Sequence, residues 1–334
     1  MGYTLDMQQA TNVVVIATRR SPDSVSIAQY YAEKRKLPRT HVFIIDCVPQ
    51  EETPLVEYRD TIEKPVMDLL RLRGLEQSVD YLVLTRGIPL RIREGGFSVD
   101  CALMCAPLKR PFREQLSESH LNPYFGKTEQ FSRRKYGFYL ATRLDGYTMQ
   151  HIRTLVDNAL NAKRAKGVFL LDIDPKRSGD GYRLVNEGMR AAAKLLRQRG
   201  FEVILDEDEA FVGAVRDIMG YYSWGSNDHK FNALSYRSLR FRPGAIAETA
   251  VSTSARTFRF TDKGQSLIAD LIAQGVTGVK GYVSEPYTAA LCHANIMFDL
   301  YTRGRTIAES LWAASQLIMW KDLVVGDPLC APFA

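Results

Sequence analysis

Short apolar, β-branched runs alternate with amphipathic helical patterns from one end of this chain to the other, and few architectures accept that alternation. "NVVVIA" from Asn12, "HVFIID" from His41 and "DYLVLTRGIPLRI" from Asp80 read as buried strands. Between the first two, "SPDSVSIAQYYAEKRKL" opens with Ser21-Pro22-Asp23, a helix start, and stops before Pro38. A second helical pattern runs from Tyr58 to Arg73. Parallel strands need crossover connections, usually helical ones, so the pattern predicts an α/β fold with a mainly parallel sheet flanked by helices.

The alternation pauses between Lys109 and Lys135, where the sequence is rich in Pro, Ser, Asn, Arg and Gly, and then resumes. The strand "YGFYLATRLDGYT" is followed by a helix from Met149 to Lys163 and by the strand "GVFLLDID" at Gly167. Next come a helix from Tyr182 to Arg199, the strand "FEVILDED" at Phe201, a strand leading to Trp224 and the run "GAIAETAVSTSA" at Gly244. A helix from Gln265 to Gln274, the strand "GVKGYV" at Gly278, two more helices and "DLVVGDPLCAPF" close the chain. Two α/β units are therefore expected, 11–108 and 136–334, joined by a long connecting segment, 109–135. A chain of 334 residues has room for both cores.

Charge narrows the partners. The net charge of +6 is spread over small groups such as Lys34-Arg35-Lys36, Arg133-Arg134-Lys135 and Lys163-Arg164. These read as solvated helix ends and loops, and no basic stripe interleaved with aromatics accompanies them, so nucleic acid is not an expected partner. No stretch has the length of a membrane span. The five cysteines are odd in number, scattered and without a CxxC pair, which suggests neither a disulfide framework nor a zinc site. The cytoplasm is the expected compartment, with export the alternative if a leader has been trimmed.

Chemistry gathers at the carboxyl ends of strands in open α/β sheets, which draws attention to "YYSWGSNDHK", Tyr221 to Lys230. The order of elements here resembles the catalytic region of gingipain-like cysteine peptidases, of caspase-like fold. That family has a strand and polar turn like "LATRLDGYT", a strand ending in acidic residues like "FLLDID", and a terminal Gly-Asp-Pro, matched by Gly326-Asp327-Pro328. The whole chain, through "SPDSVSIAQYYAEKR", "LTRGIPLRI", "SVDC", "NPYFG" and "GDPLCAPF", also resembles a bacterial family of unknown function. The resemblance implies that the C-terminal unit is caspase-like. It also places "SWGSND" where those peptidases carry Gly-His-Gly, with Trp224 in place of the histidine, and "ETAVSTSART" where they carry the nucleophilic cysteine. Indole nitrogen only donates, and no thiol is present, so the pair in which imidazole takes the proton of a thiol cannot form.

The remaining residues leave three readings open. In the first, a peptidase fold that has lost its chemistry binds a peptide, a protein or a small ligand in the old cleft, through Trp224, Ser226, Asn227, Asp228, Glu285 and Arg86. In the second, a hydrolase has rebuilt catalysis with Ser252 or Ser254 as nucleophile and His229 or Lys280 as base, Asp228 and Glu285 being further candidates. Against it, Ser252 and Ser254 are residues of the kind that cap the next element, and Lys280 can equally pair with a carboxylate. In the third, Arg86, with Arg91 and Arg93, forks an anion or nucleotide, although no Gly-rich phosphate loop is present. No cofactor is expected. A divalent cation at Asp172, Asp174 and Asp180 is conceivable from "LLDIDPKRSGDG", whose spacing does not fit an EF-hand loop. Cys101 and Cys105 share a face only if their segment is helical, and neighbouring Cys292 and His293 diverge on a helix.

Overall fold

The apolar runs become strands of one sheet. A computed structural model describes residues 10–164, 167–208 and 210–334. The first half contributes β1 (Val13–Thr18), β2 (Val42–Ile45), β3 (Glu52–Thr53), β4 (Tyr81–Thr85), β5 (Arg91–Ile92) and β6 (Leu140–Leu144). The second contributes β7 (Val168–Asp172), β8 (Glu202–Asp206), β9 (Ile218–Ser223), β10 (Phe241–Thr249), β11 (Gly278–Tyr282) and β12 (Asp322–Gly326). Ten of these form a sheet in the order β2-β1-β4-β6-β12-β11-β10-β9-β7-β8, while β3 and β5 make a separate ribbon. The strands β1, β4, β6, β7, β9, β11 and β12 are buried along their full length, as expected for strands covered on both faces.

Helix signals in the sequence are realised as caps. Ser21 accepts a hydrogen bond from the Ser24 amide at the start of helix Pro22–Lys34, and Thr306 and Glu309 make a capping box on helix Ile307–Ala313. The segment around "SVDC" is helical, Val99–Cys105, and buries both Cys101 and Cys105 in the core. Helix Ile268–Ala273 is shorter than its apolar pattern suggested, because Gln265 and Ser266 bind the turns after β9 and β10 instead.

Strand pairing puts β6 beside β4 in the first half-sheet, although its sequence opens the second unit. The order β2-β1-β4-β6 is then repeated as β8-β7-β9-β10, each half parallel within itself. Between them β12 runs antiparallel to β11 and meets β6 through Val325 and Arg143. Two fully buried ion pairs flank β12: Arg143 with Asp100, and Lys280 with Asp322. The order reverses beside β1 and again beside β7, so each half has a topological switch point at which a crevice opens. Loops following β2, β4, β10 and β11 touch one another: Thr257 donates to Glu51, Arg91 donates to the Val283 carbonyl, and Ser284 donates to the Gly96 carbonyl. The carboxyl ends of both halves therefore share one edge of the sheet.

Candidate functional site

A cleft of about 160 Å³ opens on that edge, one strand beyond the second switch point. Trp224 follows β9, Ala250 and Ser252 follow β10, and Glu285 and Tyr287 follow β11, while Arg177 and Tyr182 close it from the segment after β7. Trp224 with Asn227, Ser252 and Glu285, singled out from the sequence on three turns, thus line one space.

Each wall is fixed by polar contacts. The Trp224 indole is buried and donates to the Asn186 side-chain oxygen at 2.7 Å, with the Tyr182 ring edge-on to it at 5.4 Å. The Arg177 guanidinium lies 5.8 Å from the indole and donates to the Asn227 carbonyl. Asn227 donates to the Ala250 carbonyl and accepts from Gln265, which ties the turn after β9 to the turn after β10. Tyr287 has φ +62° and ψ 160°, a backbone region that only glycine enters without strain, yet the residue is 55% exposed. Such strain persists where the surroundings hold it, commonly at ligand sites.

The other sequence candidates fall elsewhere, and two of them are buried and already partnered. Ser254 is buried and its oxygen accepts from the Tyr282 amide at 3.3 Å, so it braces β11 and cannot attack a ligand. Lys280 is equally buried: its ammonium lies 2.6 Å from Asp322 and donates to the Ala290 carbonyl and the Tyr282 hydroxyl, and Asp322 keeps it charged, its pKa held above the ordinary lysine value although burial opposes this. A lysine in that state is no base. His229 is turned away from the cleft lining, with Nδ1 2.8 Å from Asp174 and its amide also donating to Asp174. Ser252 is left in the cleft, and its hydroxyl makes no hydrogen bond among the described residues. Ser226 exchanges hydrogen bonds with Ser266 and Asp228 accepts from the Lys230 amide; neither lines the cleft.

Arg86 belongs to the other switch point. It donates to Asp145 at 3.1 Å and to the Gly146 carbonyl, on the wall of a second cleft of about 350 Å³ at the ends of β1, β4 and β6. Its charge is therefore matched within the protein, and it does not meet Trp224 or Ser252. Asp180 begins helix Asp180–Gln198 and stands apart from the acidic group that Asp174 forms with Asp228 and His229.

Sequence reasoning missed three features. Asp206 ends β8 directly opposite Asp172, a register that appears only once the two strands are paired. Burial and the neighbouring Asp228, Asp206 and Asp174 push the Asp172 carboxyl up to about 8. Tyr182 and Tyr287 belong to the cleft but carry no signal of it in the sequence. Beneath the cleft, Glu248, Tyr282 and Lys280 form a buried network in which the Tyr282 hydroxyl donates to Glu248 at 2.6 Å, and burial raises the Glu248 carboxyl to about 7.

Comparison with known proteins agrees with this architecture. No family model matches the chain, and no curated protein matches it. Among solved structures, the complex of Porphyromonas gingivalis RgpB pro- and mature domains superposes with a TM-score of 0.60 at 11% identity, over 96% of this chain and 79% of that one. A structure described as a protease superposes with a TM-score of 0.54 at 12% identity, over 98% and 80%. At such identities the likeness concerns the fold alone: the chain has the α/β fold of the gingipain structure, with a large, mostly parallel sheet flanked by helices.

Proposed function

We propose that this protein uses the cleft at the ends of β9, β10 and β11 to hold a peptide segment without cleaving it. One observation carries the reading: Trp224 and Ser252 line the cleft together, and among the described residues no base hydrogen-bonds the Ser252 hydroxyl. The indole can donate and pack but cannot accept a proton, and its donor is already given to Asn186. The lining suits a peptide, with Arg177 and Glu285 for main-chain or charged groups and the rings of Tyr182, Trp224 and Tyr287 for apolar ones. His229 and Lys280 are both committed elsewhere, which argues against the rebuilt-hydrolase alternative.

The test is enrichment from a proteome-derived peptide library on immobilised protein, with mass spectrometry of the bound and unbound peptides. The reading expects a set of intact peptides retained by the wild type and lost by Tyr287→Ala and Arg177→Ala. New peptide ends generated by the wild type but not by Ser252→Ala would overturn it in favour of hydrolysis.

A further inference from the structure

A second hollow adjoins the peptide cleft, and the peptide reading does not use it. It has a volume of about 200 Å³ and shares Thr288 and Leu291 with the cleft, so the two open side by side along helix Asp180–Gln198. Leu184, Val185, Ala289 and Ala294 extend its apolar wall, and no Asp, Glu, Lys or Arg lines it among the described residues. His293 lines it as a neutral ring, because burial and the nearby Lys280 push its pKa below the ordinary histidine value.

Two glycines of the helix line the hollow, for different reasons. Gly181 is required by packing, since a β-carbon there would lie 2.5 Å from the Thr288 hydroxyl oxygen. Gly188 is not. It stands in the helix interior, its backbone is not left-handed, and a β-carbon would meet nothing closer than 3.9 Å. Glycine weakens a helix interior relative to alanine, so this position carries a cost that neither backbone geometry nor packing explains. What the missing side chain leaves is open space, and that space belongs to the hollow. At the mouth Leu184 is 62% exposed, and Tyr182 and Tyr287 of the neighbouring cleft are exposed as well. Single exposed apolar side chains are ordinary on a surface, but three around two joined hollows form a rim.

We infer that this pocket seats one apolar side chain of the size of Leu, Ile or Met, carried by the peptide held in the adjoining cleft; the occupant's identity rests on the peptide reading. The volume is below the roughly 300–1,000 Å³ of a pocket that takes a whole small molecule, and it suits a single side chain. A charged side chain would lose its water there without meeting an opposite charge, so Lys, Arg, Asp and Glu are excluded from this place in the peptide.

The experiment fills the pocket from within. Gly188→Leu introduces a good helix former into the open space, so the variant should fold with a Tm no lower than that of the wild type. Leu184→Glu, at an exposed position, sets a charge at the mouth and serves as the second variant should Gly188→Leu fail to fold. Peptides retained from the library by the wild type should share a Leu, Ile or Met, and both variants should weaken those peptides roughly 10- to 100-fold. Saturation-transfer NMR with N-acetylleucinamide reads the pocket without a peptide: transfer to the leucine methyls is expected from the wild type and not from Gly188→Leu. Retained peptides without such a residue, or transfer that is absent from the wild type or unchanged in both variants, would overturn the inference while leaving the peptide reading in place. Transfer lost in both variants, with no peptide retained by the wild type, would uphold the pocket and overturn the peptide reading.

Discussion

Replacing Lys280 by methionine isolates the buried ion pair beneath the cleft. In the wild type the ammonium and the Asp322 carboxylate are 2.6 Å apart, both side chains fully buried. Lys280→Met preserves the length of the side chain and leaves Asp322 as a buried charge without its cation. Removing one partner of such a pair costs about 3–5 kcal/mol, whereas replacing both with apolar groups of similar size is often close to neutral. Unfolding entropy of about 2.1 cal/mol/K per residue gives roughly 0.7 kcal/mol/K for a chain of this length, so Tm should fall by about 4–7 °C. Lys280→Met/Asp322→Leu should recover most of that loss, and the cycle should show a coupling of about 3 kcal/mol in urea denaturation. Peptide retention by the folded fraction should be unchanged, because neither group reaches the cleft. A Lys280→Met protein within about 1 kcal/mol of the wild type, or one that loses ligand binding without loss of stability, would show that the pair does not hold the fold in this way.

Three further outcomes follow from the same structure. Trp224→Phe removes the indole donor and leaves the buried Asn186 oxygen unpaired, which should cost about 1–3 kcal/mol in chemical denaturation. Glu248 has a folded pKa near 7, above the ordinary glutamate value, so the folded state holds a proton that the unfolded chain releases earlier. Its contribution is therefore complete below the unfolded pKa and is lost as pH rises through the folded one, by roughly 3 kcal/mol over that window. Glu248→Gln should flatten the fall in stability between pH 5 and pH 8, measured by urea midpoints across that range. Arg86→Gln should weaken the end of β4 against Asp145 and Gly146 yet leave peptide retention intact, since it lines the other cleft; loss of retention in a folded Arg86→Gln protein would show that the two clefts act as one site.

The alternation of apolar runs with capped helices made the fold readable, because each strand and each helix start is encoded locally. Ser21-Pro22-Asp23 became the helix start its residue types predict. The site was legible only where a turn follows a strand directly, as at Trp224 and Ser252. Side-chain direction was not: Ser252 enters the cleft, while Ser254, two residues on, turns toward β11. Lys280 looked available because the residue that pairs with it, Asp322, lies on a strand 42 positions later that runs antiparallel to its own. The acidic group depends in the same way on sheet order, since Asp172, Asp206 and Asp228 come from three strand ends that only the pairing of β7 with β8 and β9 brings together.

Whether the cleft binds without cutting is read by combining both halves of that behaviour on one retained peptide. Binding is followed by the change in tryptophan fluorescence as that peptide is titrated, and the same sample is then examined by mass spectrometry after prolonged incubation. A saturable change, lost in Tyr287→Ala, is expected, with the peptide recovered whole. Recovery of cleaved peptide from the wild type and intact peptide from Ser252→Ala would contradict it.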